Sequence, residues 1–150
     1  MTGDAMEIHD GGCACGAVRY RASGSLRSVV ACHCSQCRKA FTNYGAFTAV
    51  ARDALAIDNE QAVTWYVSSP GVRRGFCARC GSALFWDNAA AAHVSIAAGT
   101  LDRPDDVKLV RHIYVADKAG FYEIADGLEQ LPQGQDAGQD AGGGWPAGGR

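Results

Sequence analysis

The sequence predicts a mainly β domain. Short runs with strand-type patterning follow one another closely, turn signals separate them, and only one segment reads as a helical turn. The first strand is Ala17–Ala22, where Val18 and Tyr20 alternate with Arg19 and Arg21. Leu26–Ala31 is a second short strand that delivers Cys32, and Ser35–Ala40 reads as one turn of helix with Ser35 as its cap. Tyr44–Ala51 is apolar, as a buried strand is. Leu55–Ile57 and Val63–Val67 are short strands parted by the turn-like Asp58-Asn59, and Ser68–Gly71 form the next turn. Val72–Cys77 and Ala83–Trp86 read as a hairpin, and Ala92–Ala98 as a strand ended by Gly99. The turn Arg103–Asp106 leads into a final strand, Val110–Val115.

Composition bounds what such a domain can be. With 150 residues, 47% hydrophobic and 20% charged, the chain has the make-up of a soluble globular protein with one domain and a tail. No apolar stretch approaches the roughly 20 residues of a membrane helix. The first ten residues carry Asp4, Glu7 and Asp10 and no apolar core, so no export signal is expected and a cytoplasmic location is. A net charge of −2 favours neither nucleic acid nor an anionic membrane as partner. The domain is expected to span residues 1–132. Residues 133–150 hold seven of the 19 glycines and a repeated Gln-Asp-Ala-Gly. They cannot bury enough surface to offset their ordering entropy, and read as a disordered tail in which Trp145 is a stray aromatic.

The seven cysteines carry the chemistry. They fall into Cys13/Cys15, Cys32/Cys34/Cys37 and Cys77/Cys80. A disulfide framework calls for an even count, wide spacing and export, and none of these holds. A thioredoxin-like reading of Cys77-Ala78-Arg79-Cys80 lacks its βαβ context. Ferredoxin spacings are absent, and seven ligands do not fill two four-cysteine iron–sulfur clusters. Zinc takes close pairs of thiolates: four sulfurs close a structural site, and three leave a position for water or substrate. Gly16 follows Cys15 and Gly81 follows Cys80, as a tight knuckle under a metal requires, whereas Arg38 and Lys39 follow Cys37. Cys13, Cys15, Cys77 and Cys80 are therefore expected to form the closed site, and Cys32, Cys34 and Cys37 the open, catalytic one.

Three segments make the chain recognisable. Gly11-Gly12-Cys13-Ala14-Cys15-Gly16-Ala17-Val18-Arg19-Tyr20, Cys32-His33-Cys34-Ser35-Gln36-Cys37-Arg38-Lys39 and the run from Ser68 to Ser82 through Phe76-Cys77-Ala78-Arg79-Cys80-Gly81 resemble, in this order, the motifs of the glutathione-dependent formaldehyde-activating enzyme family. That family includes the centromere protein V type. The resemblance implies a zinc-bearing, mainly antiparallel β-sheet domain related to the Mss4-like fold. It also implies the same division into four structural and three catalytic cysteines, and a namesake reaction that joins glutathione and formaldehyde into S-hydroxymethylglutathione.

The histidines and cations fall around these motifs. His33, between two ligands in an extended segment, points away from them and has a structural role. His112 on the last strand is a packed, hydrogen-bonded histidine, and His9 and His93 carry less still. Arg38, Lys39, Arg73 and Arg74 flank the motifs: either they form a solvated basic face, or they clamp the carboxylates of a peptide thiol such as glutathione. Trp65, Tyr66, Phe76, Phe85 and Trp86 are expected in the core. The function expected is a zinc-dependent carbon–sulfur lyase or thiol-adduct enzyme that delivers an activated thiol to an aldehyde. The alternative is a non-catalytic zinc module serving structure or interaction.

Overall fold

The computed structural model describes residues 6–134. The repeated tail and Trp145 lie outside the described residues. The described chain holds eleven strands and one helix: β1 Ile8–Gly12, β2 Arg19–Ser23, β3 Val29–Cys32, α1 Ser35–Phe41, β4 Gly45–Ala51, β5 Leu55–Asp58, β6 Val63–Ser69, β7 Val72–Cys77, β8 Ala83–Asn88, β9 His93–Ala97, β10 Leu109–Ile113 and β11 Glu129–Gln130. The mainly β expectation holds. β1, β2 and β5 form a small antiparallel sheet, and the other strands form one sheet in the order β11-β10-β3-β4-β9-β8-β7-β6.

Two strands escaped the sequence reading. β1 is rich in polar residues and glycine and shows no alternation, and β11 is two exposed residues held by β10. The large sheet is also not wholly antiparallel. After β9 the chain passes through two 3-10 turns, so β10 enters beside β3 in the same direction. Beyond β10, the amides of Tyr114, Val115 and Ala116 donate to the carbonyls of Gln133, Leu131 and Pro132.

Strand alternation gives the large sheet two different faces. On β8, Phe85 packs with Cys13, Val18, Tyr20, Cys77 and Ile96, and its neighbour Trp86 packs with Cys32, Cys34, Cys37, Phe47 and Ile113. The first cluster seats the small sheet, with Val18, Tyr20 and Ala22 all buried. Each such aliphatic or aromatic side chain contributes about 1.5–3 kcal/mol when fully buried. The second cluster surrounds the triple-cysteine segment, so the two cysteine groups lie on opposite faces of one sheet.

Of the five aromatics expected in the core, Phe85 and Trp86 are there. Tyr66 is not: it is 60% exposed, because β6 is the edge strand. Trp65 and Phe76 are half-buried.

Candidate active site

The closed group is assembled from two loops that the sheet brings together. The sulfurs of Cys13, Cys15, Cys77 and Cys80 all lie within 4.8 Å of one another. Cys13 and Cys15 Sγ are 3.6 Å apart, and Cys15 and Cys77 Sγ 3.8 Å. Both spacings are far longer than a disulfide. They fit four thiolates on a tetrahedral ion, since zinc–sulfur bonds of about 2.3 Å put the sulfurs roughly 3.8 Å apart.

The knuckle glycines do what their position implied. Gly16 and Gly81 adopt φ of +83° and +78°, a conformation that costs a residue with Cβ about 1–2 kcal/mol. Each turns its amide back, to the Cys13 carbonyl at 3.2 Å and the Cys77 carbonyl at 2.9 Å. Backbone N–H groups then face sulfur: Val18 to Cys13 at 3.3 Å, and Arg79 and Cys80 to Cys77 at 3.3 and 3.5 Å. Ser82, not singled out in the sequence, joins the two loops. Its Oγ accepts the Ala14 amide at 3.0 Å and meets Cys80 Sγ at 3.2 Å. Hydrogen bonds from Ser82 pull the Cys80 thiol down to about 5, which prepares it as a thiolate ligand.

The second group sits where β3 ends and α1 begins. Cys32, Cys34 and Cys37 bring three sulfurs within 4.8 Å of one another, and no fourth His, Cys, Asp or Glu ligand joins them among the described residues. All three are buried. Ser35 does not cap α1 as expected. It is the first helical residue, and Cys34 Sγ takes the Cys37 amide at 3.4 Å instead. Hydrogen bonds from the Cys32 and Cys37 thiols and from that amide hold the Cys34 thiol far below its ordinary value. Cys32, as the partner that donates, is driven upward. The Cys37 thiol is also pushed up, to about 11, so Cys34 is the thiolate favoured before any metal binds. Three sulfurs this close are a donor set that suits a soft divalent cation such as zinc.

His33 turns away from these sulfurs, as its extended neighbours dictate. It is fully buried, and its Nε2 meets His112 Nδ1 at 2.9 Å. His112 Nε2 in turn reaches Asp126 Oδ2 at 2.8 Å. Tyr44 and Tyr122 pack on the His33 ring. Burial pushes the His33 pKa down to about 4, so the imidazole is neutral. Asp126, held low by its bond from His112, gave no sequence signal because it lies in an irregular loop. The chain Asp126–His112–His33 fixes the ring that separates Cys32 from Cys34.

The four flanking cations part company. Arg73 and Arg74 are neighbours on β7 and face opposite sides of the sheet. Arg73 Nε donates to Asp87 Oδ2 at 3.0 Å, and its guanidinium lies 3.7 Å from the centre of the Trp65 ring. Arg74 Nη2 instead donates to Cys37 Sγ at 3.5 Å. Arg38 is half-buried on α1, and its amide donates to the Cys34 carbonyl at 2.7 Å. Lys39 and Arg74 both line a cavity of about 680 Å³ between α1 and β6–β8, walled by Gln36, Phe41, Tyr66 and Phe76 among others. Arg74 therefore touches both the cavity and the triple-cysteine group.

Fold and site together define a class: a β-sheet protein with one group of four cysteines and one of three, each able to hold a metal ion, on opposite faces of the sheet. Comparison with known proteins places it further. Residues 8–117 match the family described as glutathione-dependent formaldehyde-activating enzyme, and the chain belongs to that family. A Halomonas elongata protein that carries the provisional designation of glutathione-dependent formaldehyde-activating enzyme is 31% identical over 129 residues, 77% of this chain and 80% of that protein. The crystal structure of a Rhodobacter sphaeroides protein superposes with a TM-score of 0.55 at 21% identity. It covers 67% of this chain and 99% of its own, a likeness of fold alone.

Proposed function

We propose that this protein is a zinc-dependent carbon–sulfur lyase or thiol-adduct enzyme that joins a glutathione-like thiol to an aldehyde such as formaldehyde. The observation that carries the reading is the triple-cysteine group, short of a fourth protein ligand among the described residues, with Arg74 linking it to a cavity. Family membership and the name of the Halomonas relative support the same chemistry. Cys13, Cys15, Cys77 and Cys80 would hold a structural zinc, and Cys32, Cys34 and Cys37 a second. Zinc at the second site supplies a Lewis-acid position that lowers the pKa of a thiol and favours its thiolate near neutral pH.

The chain's own residues do the rest. Lys39 and Arg74 offer two cations to the two carboxylates of a tripeptide thiol. Arg74, bonded to Cys37, also offsets negative charge on the sulfurs. His33, His112 and Asp126 hold the ligand loop in one geometry from the side away from the cavity. Thiolate ligands without disulfides suit a reducing compartment such as the cytoplasm. The burial of all three sulfurs favours one rival, a zinc module without catalysis.

Exchange NMR on glutathione and formaldehyde decides between them. The zinc-loaded protein should speed adduct formation above the uncatalysed rate, and Cys34→Ser should abolish the increase. Full zinc content with no acceleration would reject catalysis.

A further inference from the structure

We infer that the cavity beside the triple-cysteine group holds the aryl group of a thiol–aldehyde adduct, so that the aldehydes accepted include aromatic ones. The inference rests on the thiol-adduct reading above and names the carbonyl partner more closely. Formaldehyde brings only hydrogens on its carbon and needs no wall. Yet the cavity measures about 680 Å³, within the range of roughly 300–1,000 Å³ typical of sites for drug-sized ligands. A tripeptide thiol explains part of that space.

The charges match the tripeptide, but the rest of the lining does not. Among the described residues, Lys39 and Arg74 are the only charged ones on the wall, enough for two carboxylates. Phe41, Tyr66 and Phe76 turn rings to the same space, and none of them is fully buried in the core. By register, Tyr66 pairs with Arg74 and Thr64 with Phe76. These four side chains therefore form one continuous patch on the sheet face that carries the triple-cysteine group. Phe41 completes it from α1 and packs on the apolar cluster around those cysteines. Amide and carboxylate groups gain little from such a surface, whereas a phenyl ring stacks on it.

The chemistry needs no further reagent. The sulfur of the thiolate forms a bond to the aldehyde carbon, the carbonyl π pair moves to oxygen, and oxygen takes up the proton released by the thiol. Nothing is oxidised or reduced, and the aryl group stays attached to the carbon beside sulfur.

Binding measurements on the zinc-loaded full chain test this apart from turnover. The probes are glutathione, S-methylglutathione and S-benzylglutathione, titrated calorimetrically. S-benzylglutathione should bind at least tenfold more tightly than S-methylglutathione, the gain that burial of one ring supplies. Tyr66→Ser, at an exposed edge position that cannot upset the core, and Phe76→Ala should each cut that ratio severalfold. Glutathione binding with a benzyl-to-methyl ratio near one would overturn the inference and leave the proposed function standing, as would a ratio that neither variant alters. Failure of all three probes to bind would overturn both.

Discussion

Serine substitutions in the two cysteine groups give opposite outcomes under packing and under metal ligation. Cys80 is exposed and Cys34 is fully buried. If side-chain packing alone mattered, Cys80→Ser would change stability by no more than about 0.5 kcal/mol. Cys34→Ser would be the damaging change, since it puts a hydroxyl in an apolar cluster at a cost of about 1–3 kcal/mol. Ligation reverses the order. The closed group ties residues 13 and 15 to residues 77 and 80, and structural zinc contributes roughly 10–16 kcal/mol of folding free energy in small zinc domains. Losing one of its four ligands removes several kcal/mol from a total stability of about 5–15 kcal/mol. The hydroxyl that Cys34→Ser introduces can still accept the Cys37 amide, because serine is a good helix cap. Cys80→Ser should therefore unfold the domain or collapse its yield. Cys34→Ser should remain folded, with a melting temperature lowered by roughly 5–10 °C and about half the zinc. Calorimetric melting and elemental analysis of both variants read this directly. A well-folded Cys80→Ser protein with full metal content, or a Cys34→Ser protein that unfolds equally badly, would refute the division of roles.

Three further outcomes are expected. Gly81→Ala meets no atom within 4 Å, so its cost should be the left-handed conformation alone, about 1–2 kcal/mol by denaturant titration, with zinc retained. Asp87→Asn should destabilise by about 1–3 kcal/mol, because its buried carboxylate pairs with Arg52 at 2.7 Å and Arg73 at 3.0 Å. Burial alone would raise the Asp87 pKa, but the bonds from both arginines outweigh it and hold the group below its ordinary 3.8. Its stabilisation is thus present above that value and lost as pH falls through the folded pKa, so melts of wild type and variant should converge in strong acid. Removal of residues 135–150, Gly-rich and without apolar periodicity, should leave melting temperature and metal content unchanged.

What could be read before the structure was local. Two glycines in the same place after two cysteine pairs announced the closed group, because backbone conformation at a knuckle is a short-range demand. The strands from β2 to β9 followed from alternation and turn residues for the same reason. Long-range facts were hidden. The parallel entry of β10 depends on how two 3-10 turns route the chain, and Asp126 reaches His112 from a loop with no periodicity. The opposite destinations of Arg73 and Arg74 were legible in principle: a strand over Val72–Cys77 puts adjacent side chains on opposite faces. Tyr66 went astray because nothing in a short apolar run says that its strand will lie at a sheet edge.

The two cysteine groups are connected through β7. That strand ends in Cys77 of the closed group, and three residues earlier it sends Arg74 to Cys37 of the open one. A strand has a side-chain period of two, so a slip by one residue would turn every β7 side chain to the other face. Arg73, now held by Asp87 and Trp65, would then face Cys37, and Arg74 would face Asp87. A bulge interrupts the β7–β8 pairing between Gly75 and Phe76, toward the end of the strand that carries Cys77. A metal ion shared by Cys77, Cys13 and Cys15 would fix the end of the strand against such a slip. A metal ion in the closed group would thereby keep Arg74, rather than Arg73, beside Cys37, so its contribution would extend from stability to the surroundings of the triple-cysteine group.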